Sequence, residues 1–207
     1  MSETAVNIHH YVKETKVLGP GTRSALWVSG CHRHCAGCLA SEFEHEAQEV
    51  KVDELVKVFG SITSTEGITI SGGEPFNQAK PLAQLVDRLK NGRDYSVIIY
   101  TGYRIEELHT IAETDNDVKR LIELTDILID GEYIRELDDG RAYVGSSNQR
   151  VLFLSDRYLG TNYYNAPSRK IEMYIDGNVL SMTGIPDKNQ LESWKKIKSI
   201  LGGANNG

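Results

Sequence analysis

Five short runs of continuous apolar, largely β-branched residues punctuate the chain: Ala25-Leu26-Trp27-Val28, Gly67-Ile68-Thr69-Ile70, Val97-Ile98-Ile99-Tyr100, Ile127-Leu128-Ile129 and Val151-Leu152-Phe153-Leu154. Bounded by Gly, Asp or Ser, runs of this length predict strands buried on both faces, as in a parallel sheet. Between them the apolar positions take helical spacing. Val52, Leu55, Val56 and Phe59 form one amphipathic stripe, and Leu82, Leu85, Val86 and Leu89 form a second that Asn91-Gly92 stops. Ile105, Leu108 and Ile111 mark a third, and Val118, Leu121, Ile122 and Leu124 a fourth. Strand and helix in alternation predict βαβ crossovers and an α/β fold, drawn here as a partial (β/α)6 barrel with a parallel sheet.

The pattern changes near the end. Lys170 to Ile175, the turn Asp176-Gly177-Asn178 and Val179 to Met182 predict a β-hairpin, because Asp-Gly and Gly-Asn supply the positive φ of tight turns. A last helix is expected from Gln190 to Leu201, after Pro186, with a frayed GGANNG tail. We read residues 1–160 as a core and 161–207 as an extension packed on the same domain. No repeat, low-complexity block or linker divides them.

The 207 residues suffice for one sizeable core. Acidic residues outnumber basic ones, 29 to 23, and no basic run appears, which argues against nucleic acid or an anionic membrane as partner. The opening MSETAVNIHHYVKETKV lacks a signal-peptide pattern, and no apolar run approaches about 18 residues. A soluble, cytoplasmic protein is expected.

All three cysteines, Cys31, Cys35 and Cys38, fall in one C-x3-C-x2-C loop after the first strand. Three thiolates leave one iron of a cubane cluster open to a small molecule, and no cysteine remains for a second cluster. Zinc completed by His32 or His34 is the alternative, as are reactive thiols. His9, His10, His45 and His109 follow no metal-ligand spacing. About 33 residues beyond Cys38, Ser71-Gly72-Gly73-Glu74-Pro75 follows the second strand. In a parallel sheet this end faces the same crevice as the cysteine loop. Glycine main chain and the Glu74 carboxylate make an acceptor-rich edge suited to an ammonium group, and a plain βα turn is the other reading.

Together, CxxxCxxC and a following GGE make the chain resemble the radical S-adenosylmethionine (SAM) superfamily. The resemblance implies that Cys31, Cys35 and Cys38 ligate a [4Fe-4S] cluster and that SAM chelates the open iron. It further implies that Gly72, Gly73 and Glu74 receive the SAM amino group, with Gly37 and Leu39 near the adenine. One electron then cleaves SAM to methionine and a 5'-deoxyadenosyl radical, which removes a hydrogen atom from a substrate.

Further landmarks are Leu18-Gly19-Pro20-Gly21-Thr22-Arg23, Tyr100-Thr101-Gly102-Tyr103, Asp130-Gly131-Glu132-Tyr133 and Gly145-Ser146-Ser147-Asn148-Gln149-Arg150. With them the chain is similar to the activating enzymes of anaerobic ribonucleotide reductase, in a single-cluster extended form. The resemblance adds Thr101, Gly102, Asp130, Asn148 and Arg150 to the cofactor side. It implies a glycyl radical enzyme or a biosynthetic substrate as partner and a flavodoxin-like or ferredoxin-like electron donor. Each landmark also has a structural reading: Asp130-Gly131 as a sharp turn, Asn148 and Gln149 as backbone caps, Arg150 in an ion pair. About fifty residues extend past the length usual in that subgroup. They leave open a small-molecule or peptide substrate, and Tyr158, Tyr163 and Tyr164 form an aromatic cluster at their start. A non-catalytic zinc module is the reading outside the family.

Overall fold

All six residues of the first predicted strand, β2 (Arg23–Val28), are buried, and a parallel ladder runs from it through β4 (Gly67–Gly72) and β5 (Ser96–Thr101) to β6 (Ile127–Asp130). The structure is a computed structural model and describes residues 4–40, 47–162, 164, 168–176 and 179–203. Gly177, Asn178, Tyr163, His45 and residues 204–207 therefore lie outside the described residues.

The four parallel strands form the centre of a seven-stranded sheet, ordered β3-β1-β2-β4-β5-β6-β7. Antiparallel strands close both flanks. On one side lie β1 (Ala5–Thr15) and β3 (Gln48–Lys51); on the other, β7 (Arg150–Phe153) runs antiparallel to β6. The α/β fold with a mainly parallel sheet is thus present, while the last of the five apolar runs reverses direction. Neither β1 nor β3 was marked by an apolar run. In β1 only Val6, Ile8 and Thr15 are buried, because polar residues interrupt the alternation at a register shift between Ile8 and His10, while β3 is mostly exposed and is held by its pairing with β1.

The four predicted stripes become α1 (Val52–Gly60), α2 (Ala79–Lys90), α3 (Ile105–Ala112) and α4 (Asn116–Leu124). All pack on one face of the sheet, where Leu55, Phe59, Leu82, Leu85, Val86, Leu108 and Leu121 meet Leu26, Ile68, Ile70, Val97, Ile99 and Leu128. Each fully buried aliphatic side chain here contributes roughly 1.5–3 kcal/mol. The opposite face carries smaller clusters, Ala25 and Trp27 with Val17 and Leu18, and Ile98, Ile127 and Ile129 with Val144 and Tyr158. The helices leave that second face to loops. Asp115 caps α4 through the Asp117 and Val118 amides.

The tail forms the antiparallel pair β8 (Ile171–Asp176) and β9 (Val179–Gly184), followed by α5 (Lys188–Gly203). Among the described residues no helix is long and apolar enough to cross a membrane.

Candidate functional site

In the parallel ladder Val28 pairs with Gly72 and Thr101 with Asp130, so the carboxyl ends of β2, β4, β5 and β6 share one edge of the sheet. At that edge lies a cavity of about 150 Å³, lined among others by Cys31, Cys35, Cys38, Leu39, Gly72, Gly73, Glu74, Thr101 and Gly102. Nine of the thirteen residues singled out from the sequence therefore share one wall system. Gly37, Asp130, Asn148 and Arg150 do not line it.

The cysteine loop begins inside the hydrogen-bond lattice of the sheet. Gly73 N–H donates to Val28 O at 2.7 Å and Glu74 N–H to Gly30 O at 2.9 Å. A Cβ on Gly72 would lie 2.4 Å from Val28 O, and one on Gly73 would lie 2.2 Å from Gly30 O. The two glycines are thus required by the approach of backbone to backbone. Beyond Cys31 the loop turns through left-handed residues, His34 at φ +47° and Gly37 at φ +74°. Gly37 passes under the Arg135 guanidinium, where a Cβ would come within 2.4 Å.

All three cysteines are free thiols, and the chemistry of this donor set fits a cluster held by thiolates. Two of the sulfurs already accept main-chain hydrogen bonds, Cys31 Sγ from Arg33 N–H and Cys38 Sγ from Ala40 N–H, each at 3.4 Å. Such N–H···S contacts stabilise thiolate. Burial pushes the Cys35 thiol up, and the charges of Glu132, Cys38 and Cys31 add to the effect, so joint ionisation calls for a cation between the sulfurs. Among the described residues no three His, Cys, Asp or Glu side chains are gathered as they would be around a single metal ion.

Glu74 is 1% exposed. Its carboxylate accepts from Phe76 N–H at 3.0 Å, Thr101 Oγ1 at 2.8 Å and Gly102 N–H at 2.9 Å. Burial raises its pKa, opposed by these three hydrogen bonds and by the charge of Arg33. A carboxylate has about four acceptor positions, so one is left for a ligand. Thr101 and Gly102 act here as orienters of Glu74.

Arg33, to which the sequence reading gave no role, fixes the middle of the loop. Its guanidinium lies 4.4 Å from the centre of the Tyr103 ring, with Nη2 3.2 Å from Glu107 and Nε 3.4 Å from Glu132. His32 is within hydrogen-bonding distance of Asn77 (2.9 Å) and Tyr103 OH (3.1 Å), one through each ring nitrogen. Both nitrogens are engaged away from the sulfurs, which weighs against His32 as a zinc ligand. A long cation between two cysteines was the available signal for Arg33.

The far end of the edge is organised differently. Asp130, whose side chain is fully buried, receives Arg150 Nε at 2.9 Å, Arg104 Nη1 at 3.3 Å and Ile105 N–H at 2.9 Å. Burial opposes its charge, but Arg150 and Arg104 with the Ile105 amide outweigh burial and hold the carboxyl below its ordinary value. Arg150 binds two carboxylates bidentately, Glu106 at 2.8 and 3.0 Å and Asp130 through Nε and Nη2. Asn148 donates to Glu132 O at 2.8 Å and accepts from Ser146 Oγ at 2.7 Å. Gln149, which does line the cavity, accepts from Gly145 N–H and donates to Gly131 O.

Residues 17–152 match the family model described as a 4Fe-4S single cluster domain. The anaerobic ribonucleoside-triphosphate reductase-activating protein of Vibrio cholerae serotype O1 is 34% identical over 156 residues, 70% of this chain and 97% of the relative. Its counterpart in Escherichia coli strain K12 is 30% identical over 158 residues, again 70% and 97%. The protein of the same description from Enterobacteria phage T4 is 28% identical over 142 residues, 65% of this chain and 86% of the relative. Every residue lining the cavity falls within the span of the family match except Ile185. With thiol donors suited to a cluster inside that span, the chain belongs to the 4Fe-4S single cluster domain family.

Proposed function

We propose that this chain is a radical SAM enzyme of the glycyl-radical-activating type, acting on a glycyl radical enzyme such as an anaerobic ribonucleoside-triphosphate reductase. The observation that carries the reading is the meeting, in one cavity, of three thiols from one loop with the main chain and carboxylate of the Gly-Gly-Glu strand end. The similarity to anaerobic ribonucleoside-triphosphate reductase-activating proteins supports the choice of partner. A flavodoxin-like or ferredoxin-like protein is the reductant in this reading, and free thiols suit a reducing cytoplasm.

Cys31, Cys35 and Cys38 would hold a [4Fe-4S] cluster, which together with SAM supplies reductive cleavage and hydrogen-atom abstraction. The chain itself binds and orients. Glu74, held rigid by Thr101 Oγ1 and the Gly102 and Phe76 amides, offers its remaining acceptor position to the SAM ammonium beside the Gly72 and Gly73 main chain. Leu39 gives the adenine an apolar surface next to Cys38. Arg33 is neutralised by Glu107 and Glu132, so it would anchor the loop without offering an unpaired cation to a bound anionic group. Asp130, Asn148 and Arg150 serve this reading indirectly, by fixing the loops that carry Gly131 and Gln149.

The test is anaerobic reconstitution with iron and sulfide, followed by SAM and dithionite. Brown protein that releases 5'-deoxyadenosine, and a glycyl radical signal by electron paramagnetic resonance when the candidate reductase is added, is the expected result. Colourless protein that retains zinc would overturn the reading. A second reading, a small-molecule or peptide substrate, draws on Ile185, which brings the tail into the cavity wall.

A further inference from the structure

Where β2 ends, a side chain from outside the cavity fastens the cysteine loop to the sheet. Beyond Val28 the β1–β2 ladder runs on by one rung, Ser29 N–H to Asn7 O at 2.9 Å, and the chain then leaves the sheet towards Cys31. Gln78 closes the ladder there. Its Oε1 accepts from Asn7 N–H at 2.7 Å, and its Nε2 donates to Asn7 O at 2.9 Å and to Ser29 O at 3.1 Å. The strand ends offer it one N–H and two carbonyls, and a carboxamide carries one acceptor oxygen and two N–H donors, so the match is complete. A carboxylate of the same size would meet both carbonyls with no proton to give.

Gln78 is also the last residue of a short 3-10 turn, Pro75–Gln78, whose N-cap is Glu74. The turn is held from within: Phe76 is buried in the main core beside Ala79, and Phe76 N–H donates to the Glu74 carboxylate. Glu74 lines the cavity at one end of this turn, and Gln78, which does not line it, grips the root of the cysteine loop at the other. Between them the Asn77 amide lies 2.9 Å from His32 Nδ1. With the bond from Glu74 N–H to Gly30 O, this one segment holds Ser29, Gly30 and His32, on both sides of Cys31. A loop held by the Gly30 rung alone could pivot about it. One held also at Ser29 and His32 has a fixed direction.

We infer that Gln78 is a positioning residue: it keeps the root of the cysteine loop at one setting against Glu74, so that a cluster on the three thiols and a ligand on the carboxylate meet in register. The inference rests on the radical SAM reading, and its tests separate the two.

The first test needs no cofactor. In Gln78→Met, which keeps the length of the side chain and removes its amide, hydrogen exchange at the Ser29 and Glu74 amides should accelerate by about tenfold or more while β4 and β5 stay protected. Neither amide bonds to Gln78 itself, so acceleration there reports the setting of the loop and not the loss of a single contact. Unchanged exchange at either amide overturns the inference. General loss of protection in β4 and β5 overturns it too, since Gln78 would then support the whole sheet. The second test follows the electron paramagnetic resonance signal of the reconstituted, dithionite-reduced chain as SAM is added. Wild type should show a SAM-dependent change in the signal. Gln78→Met and Gln78→Glu should each retain iron within about twofold of wild type and yet need at least about tenfold more SAM for half of that change, the scale on which outer-shell partners act at metal sites. An equal SAM requirement in all three proteins, or loss of iron beyond that range in both variants, overturns the inference. A wild-type cluster signal that SAM leaves untouched would instead sink the radical SAM reading, and the exchange measurement would then decide the role of Gln78 by itself.

Discussion

The two halves of the sheet's carboxyl edge are built from similar polar residues and do different things. At the ends of β2 and β4 the main chain supplies the order: glycines lie against carbonyls, and the cysteine and glutamate side chains are left facing a cavity. At the end of β6 and the start of β7 the side chains supply it, because Asp130, Arg150, Arg104 and Glu106 satisfy one another. What distinguishes a ligand-binding edge from a structural one is whether its donors and acceptors are already matched.

The contrast can be broken most severely at the thiols. Cys35→Ser should reduce bound iron and 5'-deoxyadenosine formation to background in reconstituted protein, with the thermal unfolding of the sheet largely retained; full iron occupancy in this variant would show that the first half is not the ligating half. Gly73→Ala comes next. Its Cβ would meet Gly30 O, so we expect a loss of about 2–3 kcal/mol in denaturant unfolding, accompanied by weaker iron retention. Were stability unchanged, the backbone account of the glycines would fail.

Arg150→Gln sharpens the comparison from the other side. Removing a partner from a fully buried ion pair costs about 3–5 kcal/mol, but Arg150 is 40% exposed and Arg104 remains, so a loss of about 1–2 kcal/mol is expected, with SAM affinity unchanged by calorimetry. Weakened SAM binding at full stability would move Arg150 into the binding half. The smallest effect is on pH dependence. Arg150 depresses Glu106 from 4.5 to about 2, and Asp130 is also held low. A carboxylate depressed in the folded state takes up protons first in the unfolded chain, so this stability is complete above the ordinary value and is lost as pH falls from about 4.5 towards about 2. Urea midpoints measured across that window should fall for wild type and fall less steeply for Arg150→Gln.

Much of this was legible in the residues. The strands β2, β4, β5 and β6 and helices α1 to α4 have unbroken apolar runs or stripes, because each buries its own side chains. The flanking strands β1 and β3 do not: β1 buries Val6 and Ile8 but polar residues then break its pattern, and β3 takes its order from pairing with β1. The cysteine loop and Gly-Gly-Glu could be read because thiols and paired glycines have few other uses. Arg33, Tyr103, Gln78 and Ile185 could not, as their roles depend on neighbours distant in sequence, such as Glu107 for Arg33. For Asp130, Asn148 and Arg150 both a structural and a cofactor role had been open, and their hydrogen bonds account for them within the protein.

The rung from Glu74 to Gly30 carries an engineering consequence. A cysteine loop transplanted into another α/β scaffold would arrive without the strand end whose amides receive it, and a Gly-Gly-Glu turn moved alone would press against nothing. The centre is therefore portable only as a matched pair of segments, separated by about 33 residues of sequence and joined by two hydrogen bonds.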